Sequence, residues 1–299
     1  MLKKTILVES KSSLTIKNLQ LVIQSEIRQS TIPVEDIGFI VIDHPEIFIS
    51  IPALNFLIEN NAGLIVCNNN HLPNGMFLNL NSHHIQQEIF RNQIEASLPL
   101  KKQLWQQTII EKITNQGILL EKISGKKNTF QFLTSKVNSG DSSNMEGVAA
   151  NQYWKSFFDQ QELQTKFKRE RFGDYPNNFL NYGYAILRAA TARALSGSGL
   201  LNTLGIHHKS KYNAFALADD IMEPFRPLVD EKVFQLMQNF EEQELNTILK
   251  SELLNILTRT VYFKEEKSPL MVALQKTASS LQQCYTGERK KINYPKLWI

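Results

Sequence analysis

The sequence predicts an α+β fold, with a small β-rich region over residues 1–82 followed by a larger all-helical region over residues 83–299. Short apolar runs of strand length dominate the first 80 residues, whereas longer segments with helical periodicity dominate the rest. The charge is also uneven: the first 85 residues carry 5 basic and 7 acidic side chains, and the remaining 214 carry 28 and 22. A polyanion is therefore expected to bind the helical region.

The β-rich region is predicted from a series of strands and one helix. The strands are KTILVES, the alternating SLTIKNLQLVIQ with a turn at Lys17-Asn18, IGFIVID, LIVC and MFLNL. Residues 51–61 are predicted to be a helix, because Ser50 can cap its start and Ala62-Gly63 can end it. A turn at Pro73-Asn74-Gly75 is expected before the last strand.

The helical region is predicted to begin with a helix over residues 82–96. Longer helices are expected at about 100–123, 145–160, 177–196, 231–260 and 268–285. The clearest loop is VNSGDSSN at 137–144, and SGSG at 196–199 is expected to end a helix. The closing segment NYPKLWI is expected to be a flexible tail.

Composition indicates a reducing compartment. Cys67 and Cys284 are too few for a disulfide framework, and no CxxC occurs. Lys3 and Lys4 precede an apolar run of only four residues, which is too short for a signal peptide. No stretch approaches the ~20 apolar residues that span a bilayer. We therefore expect a cytoplasmic protein without a membrane partner.

The segment GIHHKSKYNAFALADDIMEPFRP at 205–227 concentrates reactive side chains: His207, His208, Asp219, Asp220 and Glu223. On a helix, Glu223 would share a side with Asp220 or with Asp219, although Pro224 disfavours a helical conformation at Glu223. Carboxylates with one imidazole suit Mg²⁺ or Mn²⁺ better than Zn²⁺. Ordinary surface chemistry is the alternative, because helix starts often carry acidic residues and histidine pairs are often exposed.

A second candidate segment is NMEGVAANQYWKSFF at 144–158. Asn144 is predicted to cap a helix whose small residues let another helix approach closely. Glu146 lies in the first turn of this helix. It could be a metal ligand, or it could only interact with the helix dipole.

A third candidate feature is a group of basic and aromatic residues that suits a phosphate backbone. It combines KFKRERF at 166–172 with the predicted helix NYGYAILRAATARAL. A solvated helix face is the alternative. The candidate DNA-binding residues are Lys166, Lys168, Arg169, Arg171, Tyr182, Arg188 and Arg193.

Taken together, EGVAANQYW, NYGYAILRAATARAL, GIHH and LADDIMEPFRP, in this order and spacing, resemble the CRISPR-associated spacer-acquisition integrases. This family inserts new spacers into CRISPR arrays, and it has a small N-terminal β-domain and a larger helical catalytic domain. The resemblance covers essentially the whole chain. The compact length and the GIHH motif are similar to the type II members, whose systems use one large RNA-guided nuclease.

The resemblance implies a catalytic site that binds Mg²⁺ or Mn²⁺ through Glu146, His208 and Glu223, with Asp220 as a secondary acid. His207 remains an alternative to His208, and Asp219 an alternative to Asp220. The implied reaction is a transesterification, in which a 3′-hydroxyl of a protospacer duplex attacks a phosphodiester at the border of a repeat. Organic cofactors are not needed.

The resemblance also implies partners. These are double-stranded DNA of the protospacer and of the repeat, a second copy of the chain paired through the acidic β-rich region, and a small adaptation protein that completes a heterohexamer. Further type II adaptation proteins could join the complex. Two other functions stay open: a metal-dependent nuclease of branched or single-stranded DNA that does not integrate, and a non-catalytic DNA-binding scaffold.

Overall fold

A computed structural model describes residues 3–79, 83–127, 130–158, 167–170, 173–264 and 266–298. Two four-stranded sheets come first and a mostly helical region follows, which confirms the predicted α+β order. The predicted boundary at residue 82 lies outside the described residues. No described helix combines the length and the apolar character that a bilayer-spanning segment requires.

The β-rich region contains two sheets and one helix. In the first sheet the order is β1 (Lys4–Val8), β5 (Ile37–Ile42), β7 (Gly63–Cys67) and β8 (Pro73–Phe77). In the second the order is β4 (Gln29–Pro33), β3 (Gln20–Ser25), β2 (Ser12–Lys17) and β6 (Ile47–Ile49). The strands β1, β5 and β7 run parallel, and β8 closes their sheet antiparallel to β7. Helix α1 (Ile51–Glu59) begins where predicted, because Ser50 accepts a hydrogen bond from the Ala53 N–H.

Two turns were predicted in this region, and the structure confirms one. Asn18 and Leu19 both have positive φ and connect β2 to β3, next to the predicted Lys17-Asn18 turn. The predicted turn at 73–75 is wrong, because these residues form the start of β8. The chain reverses earlier, where the Asn68 side chain accepts hydrogen bonds from the backbone N–H groups of Asn70 and Leu72. Proline is tolerated in β8 because this strand lies at a sheet edge.

The helical region is built from nine helices among the described residues. They are α2 (Gln86–Glu95), α3 (Leu98–Ser124), α4 (Phe130–Thr134), α5 (Met145–Phe158), α6 (Asn177–Gly197), α7 (Ala216–Met222), α8 (Arg226–Asn239), α9 (Thr247–Leu254) and α10 (Leu270–Thr286). This region was expected to be all-helical, but it also contains a short antiparallel ribbon of β9 (Thr260–Tyr262) and β10 (Lys267–Pro269). Helix α6 lies in the core, and Gly183 lets α8 approach, since a Cβ there would stand 2.4 Å from Val229 Cγ1.

Two expectations for this region are wrong. The single helix predicted at 231–260 is divided into α8 and α9, because the backbone becomes extended at Phe240 and Asn246 caps a new helix by accepting from the Leu249 N–H. Helix α8 also begins earlier than predicted, at Arg226, with Pro227 in its first turn. The closing segment is not a flexible tail. Lys296 pairs with Tyr262 as a β-bridge, and Leu297 is buried. The indole of Trp298 donates to Glu231 at 2.9 Å.

The two regions contact each other through buried charged groups. Lys250 of α9 lies 2.7 Å from Asp43 and 3.2 Å from Glu9, both in the β-rich region. Arg193 of α6 donates to the carbonyl of Asn61 and covers the Phe39 ring at 5.1 Å. These contacts join the β-rich region to α6, the helix that also supports the candidate site.

Candidate active site

Asp220 organises the loop that carries the two histidines. Its fully buried carboxylate accepts hydrogen bonds from the backbone N–H groups of Ile206, His207 and His208, at 2.6, 2.9 and 3.3 Å. The same carboxylate accepts from Nδ1 of His208 at 2.5 Å. Gly205 is required at the start of the loop, because a Cβ there would lie 2.9 Å from Asp220 Oδ2 and 2.5 Å from the His208 carbonyl oxygen. Both oxygens of Asp220 are therefore occupied by hydrogen bonds from the loop that carries His207 and His208.

The two histidines of the GIHH motif have different surroundings. His207 stacks on the buried indole of Trp105, with ring centroids 4.2 Å apart and planes 3° from parallel. His208 donates from Nδ1 to Asp220, which leaves Nε2 as the nitrogen available for a ligand. Because a carboxylate–histidine pair of this kind orients a metal-binding imidazole, the arrangement favours His208 over His207.

Asp219, the neighbour of Asp220 on α7, has a different set of partners. It accepts from Nε and Nη2 of Arg188 at 2.6 and 3.1 Å, and from the Asn213 amide at 2.8 Å. Asp219 thus holds the far end of the histidine loop and neutralises Arg188. Neither Asp219 nor Asp220 is free to act as the main acid of the site.

Glu146 and Glu223 converge on a single ammonium group. Lys112 Nζ lies 2.6 Å from Glu146 Oε1 and 2.6 Å from Glu223 Oε2, so these oxygens are separated by no more than twice that distance. Glu223 belongs to a 3₁₀ turn over Glu223–Phe225, and its own backbone is helical despite Pro224. This turn is fixed to α3 by Asn115, whose amide donates to the Pro224 carbonyl at 2.9 Å. Glu146 and Glu223, which are 77 positions apart in the chain, therefore meet at the side chain of Lys112 on α3.

The position of Glu146 depends on an aspartate in the preceding loop. Asp141 accepts from the backbone N–H groups of Met145 and Glu146, both at 2.9 Å, and so caps α5. Asn144 was predicted to cap this helix. It does precede α5, with a positive φ of 50°, but Asp141 supplies these two capping bonds. The cap fixes the first turn of α5, where Glu146 projects toward Lys112.

The charges at this site shift the pKa values of its groups. Burial alone would raise the pKa of Glu223, but Arg226 and Lys112 outweigh it and lower that pKa. The Arg226 guanidinium forms an ion pair with Glu223, with Nη2 2.9 Å from Oε1, and packs over the Tyr184 ring. The hydrogen bond to Asp220 raises the pKa of His208 against the opposing effect of burial, and the charges of Asp220 and Glu223 add to the rise. Glu223 is therefore an anion at neutral pH.

The residues are of the kind that binds a hard divalent cation. Glu223 Oε2 is shielded from solvent and makes no hydrogen bond within the described part of the chain, since its contact with Lys112 is an ion pair outside hydrogen-bond geometry. Among the described residues this oxygen is held by the Lys112 cation alone, and a buried carboxylate oxygen of this kind is a ligand atom that a hard divalent cation can bind once the ammonium moves away. The side chains of Glu146 and His208 are partly exposed, so the site has access to solvent. As placed, however, no three acidic, histidine or cysteine side chains of the described ranges form a ready metal-binding group.

A buried aspartate, Asp230, supports the part of the site that contains Arg226. Asp230 accepts from the hydroxyls of Tyr153 and Tyr184, and it lies on α8 one turn after Arg226. Burial raises the pKa of Asp230 to about 6, although the hydrogen bonds from the two tyrosines oppose that shift. Since Tyr184 also packs against Arg226, this group supports the guanidinium that neutralises Glu223.

The predicted DNA-binding residues are dispersed. Arg193 is engaged with the β-rich region, and burial lowers its pKa to about 10. Tyr182 is fully buried and its hydroxyl has no hydrogen-bond partner among the described residues, so it offers DNA no accessible atom here. Arg169 donates to the side chains of Asn177 and Asn181. Lys168 is exposed and forms a surface ion pair with Glu170 at 3.0 Å. Lys166 and Arg171 lie outside the described residues.

Sequence reasoning missed Lys112, Asp141 and Arg226. The periodicity of α3 contained a signal for the first, because Lys112 lies on the buried face of that helix in line with Thr108 and Gln116. A lysine on a buried face requires an acidic partner elsewhere in the fold. Asp141 lay in a segment predicted to be only a loop. The i,i+3 spacing of Glu223 and Arg226 also indicated an ion pair, which the structure contains.

Comparisons with known proteins show the family to which the chain belongs. Residues 5–265 match the family described as CRISPR associated protein Cas1. A CRISPR-associated endonuclease Cas1 of Neisseria meningitidis serogroup C (strain 8013) is 36% identical over 293 residues, covering 96% of this chain and 94% of that protein. A casposase bound to integration product has a TM-score of 0.77 at 21% identity, with 97% of this chain and 92% of that chain covered. A Cas6-RT-Cas1–Cas2 complex has a TM-score of 0.75 at 18% identity, covering 99% of this chain and 36% of the other. The chain therefore belongs to the CRISPR-associated Cas1 family.

Proposed function

We propose that this protein is a metal-dependent DNA integrase that inserts short protospacer duplexes into a CRISPR array. The observation that carries the proposal is the convergence of Glu146 and Glu223 on one cation-binding point, beside the loop that orients His208. A casposase bound to integration product has a similar fold, which supports strand joining.

In this proposal, Glu146, Glu223 and Nε2 of His208 hold one Mg²⁺ or Mn²⁺. When bound, the ion would promote ionisation of the attacking 3′-hydroxyl and neutralise charge on the phosphate. By accepting from Nδ1, Asp220 holds the His208 imidazole in the tautomer whose Nε2 is unprotonated and able to bind the ion. Arg226 keeps the buried Glu223 ionised and oriented. Positioning of the hydroxyl and phosphodiester supplies much of the remaining rate enhancement.

DNA would bind the positively charged helical region. Among the predicted contacts that the structure describes, Lys168 is exposed, and Arg169 and Arg188 are partly exposed. Lys209 and Lys211, also exposed, follow His208 directly and would contact backbone phosphates next to the site. We leave Tyr182 and Arg193 out of this surface because both are engaged inside the fold.

The proposed assembly contains two copies of the chain and a small adaptation partner. The β-rich region exposes large apolar side chains at Leu19, Ile27, Phe48 and Ile51, which suits a dimer interface. One structure with a similar fold is a complex that includes a Cas2 component, which supports a Cas2-type partner. The heterohexamer stays a prediction. Assignment to a type II system, with its further adaptation proteins, stays a prediction, as does a cytoplasmic location.

An endonuclease that does not integrate is the second candidate, and it is favoured by the similarity to the Neisseria relative, a CRISPR-associated endonuclease. The same three residues would serve, because cleavage differs from joining only in using water as the nucleophile. A non-catalytic scaffold is disfavoured by the buried acids, since unneeded carboxylates in such a place cost stability.

A strand-joining assay separates these functions. Purified protein with its small partner is incubated with a labelled 3′-hydroxyl duplex, a supercoiled plasmid that contains a repeat, and Mn²⁺. We expect label to enter the plasmid with the wild-type protein and not with Glu146→Gln, while both bind the duplex equally. Glu88→Gln, at an exposed position on α2, is the matched control and should join normally. Nicking without joining would support the endonuclease, and joining by Glu146→Gln would refute the metal assignment.

A further inference from the structure

A buried lysine occupies the point at which the two acids of the site meet. Lys112 lies in the middle of α3 and is only 8% exposed. Its ammonium is equidistant, at 2.6 Å, from one oxygen of Glu146 and one of Glu223. A group that lies at the same distance from both carboxylates occupies the position that a shared cation would take.

The charges at this point balance without a metal ion. Two carboxylates, Glu146 and Glu223, face two cations, Lys112 and Arg226. A divalent ion added to this group would leave two uncompensated positive charges in a largely buried place, which is costly. It would also compete with the ammonium for the same two oxygens. Lys112 must therefore leave its contacts for an ion to bind.

The two cations differ in their ability to leave. Arg226 contacts Glu223 through Oε1, the oxygen that Lys112 does not use, and its guanidinium is packed over Tyr184. Lys112 has a flexible four-carbon stem and a single point of charge. The Lys112 ammonium can therefore move away along α3 while Arg226 continues to hold Glu223.

We propose that Lys112 is a positioning residue that takes the place of the metal in the metal-free protein. It holds Glu146 and Glu223 together against their mutual repulsion, and an arriving divalent ion displaces it. This inference rests on the proposed function, because it assumes that the same two carboxylates bind the ion.

The inference predicts two effects of opposite sign when the ammonium is removed. Without metal, the two acids repel each other and the protein melts at a lower temperature. With metal, no cation has to be displaced, so the affinity for the ion rises. A lysine that only supports the fold predicts a different pair of effects, namely lower stability together with equal or weaker metal binding.

The test compares full-length wild type, Lys112→Met and Lys112→Gln by calorimetric titration with Mn²⁺ and by thermal melting in EDTA. Gln retains an N–H donor for the acids, so it keeps the comparison available if the Met variant folds poorly. Lys122→Met is the matched control, because Lys122 lies on the same helix but pairs with Glu231. We expect both Lys112 variants to bind Mn²⁺ more tightly, by on the order of tenfold as for one screened charge contact. Both should melt lower in EDTA than the wild type does.

Unchanged or weaker Mn²⁺ binding by both Lys112 variants, alongside measurable binding by the wild type, would overturn the inference. Failure of the proposed function has a different signature. If the Lys112 variants bind Mn²⁺ more tightly and Glu223→Gln loses binding, but no protein joins strands, the lysine inference stands and integration does not. If Glu146→Gln and Glu223→Gln bind Mn²⁺ as the wild type does, both are wrong.

Discussion

Replacement of Asp220 should weaken both the fold around the histidine loop and the binding of Mn²⁺. Replacing Asp220 with Asn keeps the shape of the side chain but removes its charge and turns one acceptor oxygen into a donor. In the wild-type protein, three backbone N–H groups and Nδ1 of His208 converge on the Asp220 carboxylate, which is fully buried. At least one of these donors would then face another donor without access to water.

The magnitude follows from these contacts. A hydrogen bond to a charged group contributes about 1.5–3 kcal/mol, and a buried donor left without an acceptor costs a similar amount. We therefore expect Asp220→Asn to lower the free energy of unfolding by about 3 kcal/mol. At roughly 2 °C per kcal/mol for a chain of this size, the melting temperature should fall by roughly 6 °C. Because His208 would lose its orientation, Mn²⁺ affinity should fall by about 10–100-fold.

The assay combines urea unfolding with calorimetric titration of Mn²⁺ at several pH values. Because the bond to Asp220 raises the pKa of His208, protonation should begin to weaken Mn²⁺ binding at a higher pH in the wild type than in Asp220→Asn. Asp219→Asn is the matched control, since it loses only its contacts with Arg188 and Asn213. Complete loss of Mn²⁺ binding in Asp220→Asn, equal to that of Glu223→Gln, would refute the orienting role and indicate a direct ligand.

Three further predictions concern the support of the site and the DNA surface. Burial raises the pKa of Asp230 to about 6, so its native carboxyl takes up a proton more readily than in the unfolded chain. Its contribution to stability is therefore lost as pH rises through about 6, and the difference in free energy of unfolding between wild type and Asp230→Asn should fall by about 1 kcal/mol from pH 5 to 7.5. Leu297→Ala should destabilise the protein by about 2–3 kcal/mol in urea unfolding, because this residue is buried; no effect would mean that the C-terminal segment is not docked. Lys168→Ala should weaken duplex binding and reduce the salt slope of log K by about one, with Mn²⁺ affinity unchanged; an unchanged slope would remove Lys168 from the DNA surface.

Much of the fold was predictable because its signals are local. Ser50 caps α1 three residues away, and β2 and β3 are connected by two residues, so short windows of sequence contained the information. The division of α8 from α9 and the docking of the closing segment depend on distant partners. Trp298 contacts Glu231, and no local pattern specifies a pairing across 67 residues.

The same distinction applies to the candidate site. The chemical types of its residues were predictable, and Glu146 and Glu223 do converge. The choice between neighbours was not predictable, because Asp219 and Asp220 differ only in what each faces in the folded chain. One neutralises Arg188 and the other holds the histidine loop. Lys112 was missed for the same reason, since its partners lie on α5 and on the turn after α7.

The most direct test of the central claim is an anomalous-scattering map from crystals of the wild-type protein soaked in Mn²⁺. We predict one strong peak within coordination distance of Glu146, Glu223 and Nε2 of His208, with the Lys112 ammonium moved away from between the acids. A map with no peak there, in which Lys112 still bridges Glu146 and Glu223 at saturating Mn²⁺, would contradict the claim.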